Sequence, residues 1–184
     1  ELNPAPVSQA KRIAVVGAGP AGLSFATTAA RCGHQVTLFD AAAEIGGQFN
    51  IAKQIPGKEE FYETLRYFKR QIALTGVKLA LNQRVTAADL QGEFDSVVLA
   101  TGIVPRTPAI TGINHPMVLS YLDVLRDHQP VGRRVAIIGA GGIGFDTAEY
   151  LTQHGESASL SPEAFTREWG IDMTLSQRGG LSPR

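Results

Sequence analysis

The absences in this 184-residue chain narrow its chemistry first: one cysteine, one tryptophan, no net charge and no membrane-length apolar run. With Cys32 alone, no internal disulfide can form. A cysteine-held iron–sulfur or zinc site has too few ligands, and a redox-active cysteine pair is ruled out within the chain. Cys32 itself reads as a small apolar residue packed on a sheet. The 17 basic and 17 acidic residues cancel, so no overall field draws the chain to nucleic acid or to a membrane. No basic stripe interleaved with aromatics is present, and the apolar stretches are strand-length and broken by glycine. His34, His115, His128 and His154 are scattered through turn-like contexts without metal-ligand spacing, so no metal site is expected. The opening Glu1-Leu2-Asn3-Pro4-Ala5-Pro6 lacks a starting Met and an apolar signal core. Residues 1–10 are therefore expected to be a linker cut from something longer, and the expected location is cytoplasmic.

What is present is organised around residues 13–40. The apolar run Ile13-Ala14-Val15-Val16 leads into Gly17, Gly19 and Gly22, a G-x-G-x-x-G pattern that opens a helix rich in small residues. That is the context in which the pattern signals dinucleotide binding rather than a plain turn. The first glycine permits the tight turn, the second lets backbone N–H groups approach a pyrophosphate, and the third lets helix and strand pack closely. The phosphates then lie at a helix N-terminus, where free N–H groups and the dipole favour an anion. Asp40, 18 residues after Gly22, ends the next strand where a carboxylate accepts hydrogen bonds from an adenosine ribose.

Further along, residues 20–31 form the first helix, stopped at Gly33, and residues 35–39 the second strand. The loop 41–54 carries Gly46-Gly47-Gln48: glycines that let backbone approach a ligand, and a side chain that both donates and accepts. A plain connecting loop has the same local composition. Phe61, Leu65, Phe68 and Ile72 recur at spacings of four and three, which gives a helix with one apolar face ended by Gly76. Lys58 at its start is unfavourable for the dipole unless an anion is near, and either a pyrophosphate or simple solvation accounts for it. Strands are expected at 77–81, with 84–87 as continuation or partner, and at 94–102, ending in Ala100-Thr101-Gly102. In a doubly wound parallel sheet those strand ends form the ligand crevice, with Val85 bringing backbone to the adenine rim. Residues 103–116 carry three prolines and read as a crossover; Ser120 with Asp123 starts a short helix. A strand at 134–138 then leads into Gly139, Gly141 and Gly144, a second G-x-G-x-x-G before a helix at 145–153. Two patterns 122 residues apart imply two nucleotide sites. After 154–155 the expected strand and ribose-reading residue do not follow: residues 156–184 are polar and glycine-rich, with at most a short helix at 162–169, so either an insertion lies here or the sequence ends before that strand. The choice between NADH and NADPH is not readable.

GAGPAGL, VTLFD, EIGGQFNIAKQIPGKEEFYETLRYF, LATGIVPRTPAI, VLSYLDVLR, IIGAGGIGFDTAEYL, EWGID and GGLSP together cover nearly all of the chain from Lys11 onward. In these segments the chain resembles the middle of the bacterial NADPH-dependent 2,4-dienoyl-CoA reductases. These belong to the wider group that joins an Old Yellow Enzyme-like barrel to a glutathione-reductase-like half. The glycine motifs are widely shared, whereas FNIAKQIPGKEEF with GIVPRTPAI is a far more specific point of resemblance to these reductases.

The resemblance implies an α/β fold of the Rossmann-like, glutathione-reductase-like FAD/NAD(P)-binding type, three-layered and truncated. It divides into a FAD-binding domain at 11–104, a crossover at 105–130 and the start of an NAD(P)-binding domain at 131–184. It implies FAD contacts at Ala21, Asp40, Gln48, Lys58 and Val85. NADP belongs to the second, incomplete site, and FMN with a 4Fe-4S cluster to a part preceding Glu1. Partners are then dinucleotides and the protein's own barrel. In that family a hydride passes from NADPH to FAD, and single electrons pass through the cluster to FMN, which reduces 2,4-dienoyl-CoA in the breakdown of unsaturated fatty acids. No catalytic residue falls in this chain, which is expected to be inactive alone. An enoate reductase-like or trimethylamine dehydrogenase-like flavoprotein, or a nucleotide-binding module without redox activity, are the alternative readings.

Overall fold

The computed structural model describes residues 5–182. Of the expected linker, residues 1–4 lie outside the described residues. Residues 5–10 are exposed, with the Val7 N–H bonded to the Cys32 carbonyl at 2.9 Å.

Chain contacts divide the molecule into two units. The first comprises the chain up to Ala52 together with Phe61–His115; the second comprises Lys53–Glu60 together with the chain from Pro116 onward. In the first, β1 (Arg12–Val16) is apolar throughout its inner residues because it is flanked on both sides and covered by helix. Helix α1 (Pro20–Arg31) follows, with proline in its first turn, where a missing N–H costs nothing. Its Gly22, Leu23, Ala26, Thr27 and Ala29 are buried, small enough that the helix closes onto the sheet. Gly33, at φ +102°, turns the chain into β2 (Gln35–Phe39). That strand runs parallel to β1, with Ile13 opposite Val36 and Val15 opposite Leu38.

A short helix α2 (Phe49–Ala52) precedes α3 (Glu60–Thr75), and Phe49 stacks on Phe61 at 4.5 Å between ring centroids. The four-and-three spacing of α3 does what the pattern predicts: Leu65 and Ile72 are buried, and Ile72 and Phe68 join the core beneath the sheet. Gly76, at φ +72°, ends the helix. Strand β3 (Lys78–Ala80) pairs with β2, and β4 (Ser96–Leu99) pairs with the other side of β1, so the parallel order is β3-β2-β1-β4. This is an α/β sheet with helices. One sheet face, carrying Ile13, Val15, Val36 and Leu38, packs against α1 and α3. On the opposite face Phe39 meets the edge of Phe94 at 5.9 Å, while Leu99 is 74 % exposed.

Residues 84–87 form no strand. Thr86 instead caps a one-turn helix α4 (Ala87–Leu90), with Asp89 answering the Thr86 N–H at 2.7 Å. The T-x-x-D capping box outweighs the weak alternation around Val85.

In the second unit, Ser120 caps α5 (Tyr121–Leu125) and Asp123 returns the bond to the Ser120 N–H at 2.6 Å, as the sequence implies. Helix α6 (Gly142–Thr152) begins three residues before the expected 145, because the glycine turn itself supplies its first turn. Ser161 caps α7 (Pro162–Trp169), which Gly170 ends at φ +65°. The strand expected at 134–138 is absent as a strand, and Ile138 is 77 % exposed. A ladder needs a neighbour, and among the described residues no strand lies beside this stretch. An isolated bridge, Ile171 to Leu181, closes the region after α7. No helix of the described residues is long and apolar enough to cross a membrane.

That closing loop is organised by Asp172. Its carboxylate accepts from the Thr174 hydroxyl (2.6 Å) and N–H (2.9 Å), from the Ser176 hydroxyl (2.8 Å) and from the Gln177 N–H (2.8 Å). The two hydroxyls, with the backbone donors, hold its pKa far below the ordinary carboxylate range. A depressed folded pKa means the stabilisation is complete above the unfolded value of about 4 and is lost as pH falls below it. Amide hydrogen exchange should therefore show Thr174 and Gln177 protected at neutral pH and down to about pH 4. Protection should decline in more acidic solution, and Asp172→Ala should remove it at every pH.

Candidate functional site

The end of β1 turns through Gly17, whose φ of +111° suits glycine and whose N–H donates to the Phe39 carbonyl at 2.8 Å. A Cβ at Gly17 would collide with the Ala100 carbonyl, so the end of β4 backs the turn. A Cβ at Gly22 would collide with the Gly17 carbonyl, so the start of α1 rests directly on the turn. Gly19 is the N-cap of α1 and no side chain caps the helix. With Pro20 lacking an N–H, the first free donors of the helix are those of Ala21 and Gly22, as an anion site requires.

Two further pieces of chain meet this turn. The Gly46 N–H donates to the Ala18 carbonyl at 2.8 Å, and a Cβ on Gly47, at φ +52°, would stand 3.0 Å from the Gly19 Cα. The 46–47 loop therefore lies against the turn. Asp40 reaches it from β2: Oδ2 accepts from the Ala18 N–H at 2.6 Å and Oδ1 from the Ala42 N–H at 2.8 Å. Its own carbonyl accepts from the Gln83 N–H at 2.9 Å, which brings the chain two residues before Val85 onto the strand end. The Ala100 N–H donates to the Val16 carbonyl at 2.8 Å, and Thr101 and Gly102 continue from there, exposed. Gly17, Gly19, Ala21, Gly22, Asp40, Gly47 and Ala100 thus share the carboxyl edge of the sheet, where ligands bind in folds of this kind. Gln48 is exposed at the start of α2, its carbonyl accepting from the Ala52 N–H at 3.0 Å.

Sequence patterning does not reveal that Asp40 braces the turn through Ala18. A carboxylate offers about four lone-pair directions, so two backbone bonds leave capacity for ribose hydroxyls.

The second turn repeats the first. Gly139 has φ +116°, Gly141 is the N-cap of α6 with no side-chain cap, and a Cβ at Gly144 would collide with the Gly139 carbonyl. The difference is behind the turn: a Cβ at Gly139 would meet nothing within 4 Å, where Gly17 has the end of β4. Lys58 belongs to this second unit. Its Nζ lies 2.7 Å from both carboxylate oxygens of Asp146, two residues past Gly144. Beside it, Glu59 accepts from the Ser159 hydroxyl at 2.7 Å. Burial raises the Glu59 pKa, but bonds from Ser159, Ser157 and backbone outweigh it and leave the carboxyl below its ordinary value. Asp146 was not singled out by any motif; an acid placed just after the third glycine is its only signal.

Two glycine turns of one geometry, each opening an uncapped helix, define a dinucleotide-binding domain. The chain belongs to the pyridine nucleotide-disulphide oxidoreductase family, whose model matches residues 11–167. It is 35% identical over 160 residues to a metal reductase of Desulforamulus reducens, covering 84% of this chain and 24% of that protein. It is 34% identical over 165 residues to an NADH oxidase of Thermoanaerobacter brockii, covering 87% and 25%. Among solved structures, 2-naphthoyl-CoA reductase in complex with 2-naphthoyl-CoA superposes with a TM-score of 0.77 at 38% identity, over 80% of this chain and 23% of that one. The chain therefore spans about a quarter of the length of these relatives. It is a domain of the FAD/NAD(P)-binding type of that family, similar to the matching quarter of NADH oxidases and reductases.

Asp40→Ala should weaken ADP binding by about 1–3 kcal/mol, the usual cost of losing a charged hydrogen-bond partner. It should also lower the melting temperature, because the Ala18 N–H loses its acceptor. Titration calorimetry showing unchanged ADP affinity would remove Asp40 from the site.

Proposed function

We propose that this chain is the FAD-holding part, and the start of the NADPH-binding part, of a 2,4-dienoyl-CoA reductase acting in the breakdown of unsaturated fatty acids. The observation that carries the redox half of this reading is the repetition of one turn geometry at Gly17–Gly22 and Gly139–Gly144, which provides for two dinucleotides. The substrate half is supported by the FNIAKQIPGKEEF and GIVPRTPAI segments and by the likeness to 2-naphthoyl-CoA reductase, which takes a conjugated acyl-CoA.

The residues fit a bound FAD: the turn is packed so closely that a Cβ at Gly17 or Gly22 would collide with backbone, and the start of α1 presents free donors. FAD supplies hydride acceptance from a nicotinamide and release of electrons to a further centre. In this reading the Ala21 and Gly22 N–H groups bind the pyrophosphate, and Asp40 orients the adenosine ribose while holding the turn in shape. The 46–47 loop covers the phosphates, Gln48 offers a donor and an acceptor, Val85 presents backbone at the adenine, and Ala100, Thr101 and Gly102 line the crevice. Gly139, Gly141 and Gly144 receive the nicotinamide dinucleotide. FMN, a 4Fe-4S cluster and a substrate-binding barrel belong to the remainder of a protein as long as the relatives. The partners are small dinucleotides and that barrel, without nucleic acid or membrane, and the setting is the cytoplasm.

The test is anaerobic turnover by the full-length polypeptide that carries this segment. NADPH oxidation should depend on added 2,4-dienoyl-CoA and consume its conjugated absorbance in proportion. No NADPH oxidation on adding the acyl-CoA, with NADPH or NADH oxidised only once oxygen is admitted, would defeat the substrate assignment and favour an oxidase.

A further inference from the structure

Lys58, expected as a FAD contact, has a specific side-chain partner in the structure, Asp146. Its ammonium meets both oxygens of Asp146 at 2.7 Å, with both side chains partly shielded, 39% and 29% exposed. Asp146 stands in the second turn of α6, and side chains on a helix lean toward its N-terminus. Its carboxylate therefore leans toward the Gly139–Gly144 turn. An unneutralised acid there, itself favoured by the helix dipole, would use up part of the positive field at the start of α6 and repel the phosphates that such a turn receives. The ion pair cancels that charge where it matters.

We propose that Lys58 is a positioning residue of the second dinucleotide site: by neutralising Asp146 it preserves the anion-binding field at the start of α6. The pair also ties the 53–60 segment to α6, and Glu59 makes a second tie at Ser159. This assignment rests on the reading of the Gly139–Gly144 turn as a nicotinamide dinucleotide site.

The experiment is titration of the isotopically labelled full chain with NADPH and with NADH, followed by NMR at the amides of residues 142–146 and, separately, 18–22. Lys58→Met should weaken binding seen at 142–146 by about three- to ten-fold at low salt, and less at high salt, where exposed charges are screened. Asp146→Asn should bind as tightly as the unmodified chain or more so, and the double variant should recover most of the loss. ADP binding at 18–22 should be unchanged in all three. A lysine that only holds the fold, or that touches the dinucleotide itself, would leave the double variant as weak as Lys58→Met, and that result overturns the assignment. Binding in the unmodified chain with no loss in Lys58→Met overturns it alone. An unmodified chain in which neither nucleotide perturbs 142–146 overturns both the assignment and the reading beneath it.

Discussion

The first unit depends on a contact that only backbone can make: the Gly17 carbonyl occupies the space a Cβ at position 22 would need. This lets α1 start directly against the end of β1, and it leaves the helix N-terminus open instead of covered by a capping side chain. The Ala100 carbonyl presses on the same turn from β4, the 46–47 loop lies against it, and Asp40 grips it through the Ala18 N–H. Helix entry and the shape of the anion site follow from this close packing of backbone. A larger residue at 17 or 22 would have to move a strand or the helix.

Most of the first unit was legible in the sequence because its signals are local and agree with one another. The 13–16 run, the proline at the first helical position, the small residues of α1 and Gly33 each name the same boundaries that the structure shows. The apolar face of α3 was equally plain, since four residues at helical spacing leave one solution. The errors arose where a weak alternation competed with a cap or where pairing depended on distant chain. Around Val85, Thr86 and Asp89 outbid the strand pattern. At 134–138 the β-branched residues favour a strand, but a ladder is a property of two segments. The glycine cradle was readable, while the Asp40–Ala18 bond was not, because the pattern describes types and spacing rather than which hydrogen bonds an acid makes in the folded chain.

The two units show how one motif behaves with and without its surroundings. Gly139–Gly144 reproduces the φ angles and the third-to-first glycine contact of Gly17–Gly22, so these are properties of the motif itself. Backing by a paired strand is not: it is present at the first turn and missing at the second. Lys58 illustrates the converse. Its place in a reductase-like segment suggests a contact with FAD, and the fold pairs it with Asp146. Charge complementarity across 88 positions of sequence has no local signature, and only the fold brings it out.

The central claim is that the Gly17–Gly22 turn and Asp40 together hold the adenosine diphosphate half of FAD. The most direct measurement is a crystal structure of this chain grown with excess FAD. The account predicts the pyrophosphate against the Ala21 and Gly22 N–H groups, with the adenosine ribose hydroxyls on the Asp40 carboxylate. FAD seated away from the start of α1, or bound there with its ribose remote from Asp40, would contradict it.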